Sequence, residues 1–385
     1  VGERERGSSG EKMNIQEIRK LFSITEKKIY LNHASTGPVT TRARKAIEAL
    51  LDVYEYEVDI TKEFLESIEN EVRNLAAQLV GAHVDEIGLA KNTSQGIIIP
   101  MNAMEWEQGS NVILRKGGFP ANVCPWLQNL PDVEKRFIRA NTCDEFIEAC
   151  ASEVSRTTKV IAVDWVDFLS GQRMDLVRLG SFCADRGVLL FVDGIQGLGA
   201  LQINLSELAV DAFSCGAAKW LFGPQGIGIM YIKKQLLGIM NLKNTGWLSV
   251  AWKDFQHFEV IPPVKRSAAR YEEGTRNLLG MVGMREHLKL FLQIGPESIE
   301  KRIEALRGMI VKGLEEKGCT FLSPIDFQAG SGIVTFRHPK KRSEKLYEEL
   351  MARKIIVSIR EDWIRVSPHF YNTEEEIEEF LNHVR

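Results

Sequence analysis

The stretches VLLFVDGIQGLGA (residues 188–200) and DAFSCGAAKWLFGPQGIGIMYI (residues 211–232) decide how this chain is read. VLLFVDG and DAFSC are short runs without apolar–polar alternation, and GIGIMYI closes the second stretch in the same way. Strands of that kind are covered on both faces. Asp193 stands at the C-terminal end of the first run. Lys219 follows the second, alone among Gly216, Ala217, Ala218, Trp220, Leu221 and Phe222. Lysine is one of the residues least often buried, so an amine in that company needs a physical reason. Open α/β sheets build their binding crevice beyond the C-terminal ends of their strands. A carboxylate and an amine at neighbouring strand ends can form an ion pair, or can hold a ring between them.

The same texture continues outward. NVILR (111–115) and KVIAVDW (159–165) are further apolar runs bounded by turn residues, with helical candidates at 94–105, 143–155 and 175–186. Amphipathic patterns at about 41–55 and 62–80 precede them, the second closed by Gly81. This alternation predicts an α/β domain with a mostly parallel sheet. After about residue 280 the pattern changes to a charged helical region, 282–318, broken at Pro296, then SGIVTFR, a helix at 342–353, IIVSIR, WIRVSP and a final helix. Thr373 and Glu376 have the spacing of a capping box in front of that last helix. The expected organisation is a disordered tail or cloning remnant at 1–12, with Met13 a candidate start. An N-terminal segment at 13–30 packs on the small domain, a large domain covers 31–280, and a smaller α+β domain covers 281–385.

Composition excludes several classes. The 385 residues carry 49 basic and 52 acidic side chains, a net charge of −3, which gives no basic field for nucleic acid. No apolar run reaches the length of about 18 residues that a membrane helix needs. The N-terminal stretch VGERERGSSGEK has no apolar region of a secretory signal. The six cysteines, at 124, 143, 150, 183, 215 and 319, form no CxxC pair, which reads as free thiols of a cytoplasmic protein. The glycines of GIQGLGA do not follow the GxGxxG order, and neither GxxxxGK[ST] nor HExxH occurs, so the dinucleotide, nucleotide-triphosphate and zinc readings fall away.

Pyridoxal 5′-phosphate needs a lysine for its aldehyde, a carboxylate for its pyridine nitrogen, and hydroxyls with helix N-terminal amides for its phosphate. Lys219 and Asp193 offer the first two, and KNTSQG places Thr93 and Ser94 at the start of a candidate helix. Each residue also has a plainer reading. Lys219 alone is a snorkelling lysine, Asp193 a turn residue, Phe119 a core side chain, Thr93 and Ser94 helix caps, and Arg365 a surface partner of Glu361. Cys124 and Cys215 read as small buried hydrophobes.

YLNHASTGP, NTSQG, FPANVCPW, VDGIQGLG, AAKWLFGPQGIG, YEEGTRN and IRVSPHFYNTEEEI occur in this order, from about residue 28 to the C-terminus. In that order they resemble the class V aminotransferases. This is the branch of fold-type I pyridoxal-phosphate enzymes that includes cysteine desulfurases, kynureninases and isopenicillin N epimerase-like proteins. The resemblance implies a large domain with a mostly parallel sheet and a smaller α+β C-terminal domain. It implies that Lys219 is the Schiff-base lysine, that Asp193 pairs with the pyridine nitrogen, and that Gln196 reaches the ring hydroxyl. Phe119 would stack on the ring, and Thr93 and Ser94 would hold the phosphate. Thr275 would reach the phosphate of a neighbouring subunit, which implies a homodimer. Arg365 would clamp the substrate carboxylate, a task that suits its planar fork, and Asn32 and His33 would line the substrate pocket. No metal is implied.

Two departures stand out. Ala218 and Gly216 occupy places where many relatives carry a histidine and a serine-like donor. Residues 338–364 contain no cysteine, where desulfurases place a nucleophilic one before the carboxylate arginine. The expected activity is therefore α-carbanion chemistry on a small amino acid, as an aminotransferase or a C–S/β-elimination lyase and not a persulfide-forming cysteine desulfurase. An epimerase-like enzyme and a non-catalytic protein without cofactor are the alternatives.

Overall fold

The computed structural model describes residues 14–58, 60–252 and 259–385; the tail expected at 1–12 lies outside them. Seven strands form the main sheet: β1 (Ile87–Ala90), β2 (Asn111–Arg115), β3 (Glu134–Ile138), β4 (Thr158–Asp164), β5 (Leu189–Asp193), β6 (Ala212–Gly216) and β7 (Gly228–Ile232). Their spatial order is β1-β7-β6-β5-β4-β2-β3. From β6 to β3 every pairing is parallel, and only β7 runs against its neighbours.

The unalternating runs follow from burial on two sides. Successive strand residues face opposite ways, so Val112, Leu114, Val160, Ala162 and Phe191 enter one core. Ile113, Ile161, Val163, Leu190 and Val192 enter the other. Fully burying a side chain of this size contributes about 1.5–3 kcal/mol, so neither face tolerates a charge before the strand ends.

A second, antiparallel sheet forms from β8 (Thr320–Phe321), β9 (Val334–Arg337), β10 (Ser358–Arg360) and β11 (Trp363–Val366), in the order β10-β11-β9-β8. The helices Pro296–Glu315 and Glu374–His383 supply Leu306, Ile310, Leu314, Ile377 and Phe380 to its core. The helical region broken at Pro296 is two helices, Leu278–Ile294 and Pro296–Glu315, with Gly295 between them at φ +91°. Proline suits the first position of the second helix, where its missing N–H has no partner to lose. Thr373 and Glu376 form the reciprocal capping box.

The N-terminal chain forms a separate two-stranded sheet and runs on to the lysine turn. Ile29–Tyr30 pairs in parallel with Ile355–Ile356, and Arg19 bonds the Tyr371 carbonyl and the Glu376 carboxylate, each at 2.9 Å. Further on, the Gly37 N–H donates to the Ala218 carbonyl at 2.9 Å. Residues 29–37 thus run from this two-stranded pairing to the backbone beside Lys219.

Candidate active site

The candidate residues converge where β4, β5 and β6 end. Asp164 and Asp193 are register partners on adjacent parallel strands, both buried. Asp193 Oδ1 accepts the Ile195 N–H at 2.9 Å, while its buried Oδ2 has no partner. Burial, and then the charge of Asp164, push the Asp193 carboxyl up to about 7, against the Ile195 N–H and Lys219. Burial likewise pushes Asp164 up to about 6, against its bonds from Phe119 and Asn122.

Lys219 sits on the turn between β6 and β7. Burial lowers its amine to about 8; Asp193 opposes this and Arg365 adds to it. Its backbone is fixed on each side: Ala218 accepts from Gly37, and the Trp220 carbonyl meets His369 Nε2 at 2.9 Å. The Lys219 carbonyl accepts the Phe222 N–H at 3.0 Å, in a turn where Phe222 takes the left-handed φ of +57°. The Lys219 Nζ lies 5.3 Å from the centre of the Phe119 ring. A snorkelling surface lysine has none of these restraints.

Thr93 and Ser94 open helix Thr93–Ala103, capped by the Asn92 side chain on the Gln95 N–H at 2.9 Å. The first N–H groups of a helix lack intrahelical partners. Thr93 Oγ1 accepts the Gly216 N–H at 2.9 Å and Ser214 Oγ donates to the Thr93 carbonyl at 3.0 Å, so the helix start is tied to β6. A side chain at 216 would press on Thr93, since an added Cβ comes within 3.2 Å of its hydroxyl.

Arg365 is 2% exposed and is not a surface partner of Glu361. Its guanidinium donates to Ser358 Oγ at 3.3 Å, the Phe168 carbonyl at 2.5 Å and Ser35 Oγ at 2.7 Å. No carboxylate pairs with it among the described residues, and burial lowers it to about 10. Ser35 Oγ donates to Asn32 Oδ1 at 2.8 Å, which joins Asn32 to the same cluster.

Other residues sit differently from expectation. His33 is fully buried, with its ring nitrogens against the Ser367 carbonyl and the Tyr371 hydroxyl, both at 2.8 Å. It is a neutral core residue, pushed down to about 3 by burial, and not a pocket wall. The Gln196 amide donates to the Ala34 carbonyl at 3.0 Å and accepts the Trp220 indole N–H at 2.9 Å, which leaves one N–H. Thr275 is exposed and lines a separate cavity of about 550 Å³ with Tyr54, Trp247 and Trp252. Cys215 is buried, but Cys124 is exposed, because it projects from the outer side of helix Pro120–Asn129. Asp164, Asn122 and Ser35 were not among the candidates. Asp164 carried a readable signal, since it ends the apolar run KVIAVD as Asp193 ends its own.

The sequence model of the family "Aminotransferase class-V" matches residues 29–380. The chain belongs to that family. A probable cysteine desulfurase of Pyrococcus abyssi is 24% identical to it, over 95% of this chain and 96% of the relative. An uncharacterized aminotransferase of Bacillus subtilis, YcbU, is 26% identical over 96% and 97%. Among solved structures, the cystine C–S lyase C-DES in complex with its reaction product cysteine persulfide superposes with a TM-score of 0.84, at 21% identity, over 93% of this chain and 97% of that one. The fold is therefore that of the fold-type I pyridoxal-phosphate enzymes, with an α/β sheet and a separate antiparallel sheet.

As a class-V aminotransferase the chain is a pyridoxal-phosphate-dependent enzyme, a transferase or a lyase. The residues fit the cofactor: a buried carboxylate oxygen without a partner, a half-buried amine of lowered basicity and a helix start with unpaired N–H groups lie together at the ends of β5 and β6. The expectation that excluded a persulfide-forming cysteine desulfurase is overturned. Relatives covering 95% of the chain carry the name probable cysteine desulfurase, and the similar structures include cysteine desulfurases and a C–S lyase. The exclusion rested on one loop without a cysteine. One loop is too local a feature to set the chemistry of a site built from several elements.

Proposed function

We propose that this enzyme cleaves the carbon–sulfur bond of a cysteine-type α-amino acid, either cysteine or its disulfide. The observation that carries the reading is Arg365, a buried cation without an anion, close enough to lower the basicity of Lys219. A buried charge without a partner is costly, and a substrate α-carboxylate is the planar anion that a guanidinium fork accepts best. The sulfur half of the proposal draws on the desulfurase and C–S lyase relatives.

Lys219 would hold the cofactor aldehyde, Asp193 would face the pyridine nitrogen, and Phe119 would cover the ring. Thr93 and Ser94, with the helix N–H groups, would take the phosphate, and the remaining Gln196 N–H would serve the ring hydroxyl. Bound pyridoxal phosphate supplies an electron sink for the pair left on the α-carbon. Arg365 then orients the carboxylate, with Asn32 set beside it through Ser35. Lys219, freed when the substrate amino group takes its place on the cofactor, would accept the α-proton as an amine whose basicity burial lowers. The protein works as a cytoplasmic homodimer in which Thr275 and its cavity face a second copy.

Supplying the holoenzyme with L-cysteine and L-cystine tests the reading. Sulfide and sulfane sulfur are measured beside alanine and pyruvate, and sulfur released in step with the carbon product is expected. Amino-group transfer to a 2-oxo acid with no sulfur released from either substrate rejects it.

A further inference from the structure

We propose that Asp164 is a positioning residue that shares a single proton with Asp193 and ties the Phe119 end of helix Pro120–Asn129 to the sheet. The inference concerns the protein's own carboxylates and is independent of which amino acid is the substrate.

Asp164 and Asp193 are register partners at the ends of parallel strands, so their side chains leave the sheet on the same face. Both are buried, and neither has a salt bridge among the described residues. The cation nearest Asp164 in effect is Arg115, already bonded to Asp167 at 2.6 Å; for Asp193 it is Lys219. Asp167 adds a further negative charge beside Asp164. Two neighbouring carboxylates withdrawn from water do not both ionise at neutral pH.

The hydrogen bonds show where the proton can rest. Asp164 Oδ2 accepts the Phe119 N–H at 2.8 Å and Oδ1 accepts Asn122 Nδ2 at 3.1 Å. Asp193 Oδ2 and Asn122 Oδ1 are both buried and have no partner. Asp193 Oδ2, with no donor on it, is the oxygen free to carry the proton. If the Asn122 amide turns end for end, its Oδ1 takes the place of Nδ2 and accepts a proton carried on Asp164 Oδ1. The proton leaves an oxygen of Asp193 and bonds an oxygen of Asp164, so Asp193 becomes the anion and the charge of the pair is unchanged. Asp164 keeps its bond from Phe119 in either state, and Phe119 keeps its ring 5.3 Å from the Lys219 amine. Burial raises both carboxyls, and the charge of Asp164 raises Asp193 further.

The test uses protein stripped of cofactor. Reductive methylation of Lys219, followed by peptide mass spectrometry across pH, reports the titration of its amine. Asp164→Asn keeps the shape and removes the charge, so Asp193 ionises at lower pH and holds the Lys219 proton more tightly. The Lys219 midpoint is expected to rise by about half a pH unit or more. In wild-type protein labelled with ¹³C-aspartate, the infrared band of a protonated carboxyl is expected at pH 6.5 and gone well above pH 8. An unchanged Lys219 midpoint in Asp164→Asn overturns the proposal. So does the absence of the carboxyl band from wild type, a result that needs no variant to fold.

Discussion

Arg365 and His33 show how the same burial gives opposite meanings at the level of single residues. His33 has both ring nitrogens satisfied inside the protein, so it stays neutral and belongs to the core. Arg365 is charged and bonded only to neutral oxygens, which is what the proposed carboxylate clamp requires. Replacing Arg365 by Ala is expected to raise KM for α-carboxylate substrates about tenfold or more, ~1.4 kcal/mol, while cofactor retention changes little. Steady-state kinetics beside the cofactor absorbance check this, and an unchanged KM removes Arg365 from the site. His33 and His287 make an acid-stability prediction. Both are pushed from 6.5 to about 3 by burial. Below about 6.5 the unfolded chain takes up protons that the folded chain refuses, so stability falls with pH from there towards 3. Melting temperatures between pH 7 and pH 4 should drop, and drop less steeply in His33→Asn, which has nothing to protonate.

Elements, not single side chains, bring these residues together. The long apolar strands and the amphipathic helices were legible because period and burial coincide in them: helix Lys62–Val80 matches its predicted span. Strands β1 and β3 were not. IGLA is too short to show a period, and EKRFI is charged because it lies at the sheet edge, with one side open to water. Helix Pro120–Asn129 was hidden by its prolines, of which Pro120 is harmless at the first turn and Pro125 is interior. Asp164 was passed over because its partners come from that unseen helix. The least legible element is the 32–37 loop under Lys219. A Cβ on Gly37 would come within 2.1 Å of the Lys219 carbonyl and 2.7 Å of the Phe222 ring. Gly37→Ala is expected to cost about 1–3 kcal/mol of stability and to weaken cofactor retention, as the Lys219 backbone gives way. Thermal melts and cofactor release rates check it; a variant with the wild-type values of both would show that the loop does not hold the lysine.

Across the whole molecule, two sheets of different kinds meet around one amine. The parallel sheet contributes Asp193 and Lys219 from its strand ends, and the antiparallel sheet contributes Arg365 from β11. Alternation of strands and helices made the first sheet legible in the sequence, and the runs SGIVTFR and WIRVSP carried the second, whereas helix Leu278–Ile294 packs in the core of the first. The meeting of the two sheets was not legible, because it depends on the N-terminal chain, which bonds Ser367 beyond β11 at one end and the turn beside Lys219 at the other. The central claim is that this convergence makes Lys219 the covalent anchor of the cofactor. Borohydride reduction of the holoenzyme, followed by digestion and peptide mass spectrometry, tests it directly. The account predicts one modified peptide, the one that contains Lys219, and no modification in Lys219→Ala; cofactor fixed to a different lysine in the wild-type protein contradicts it.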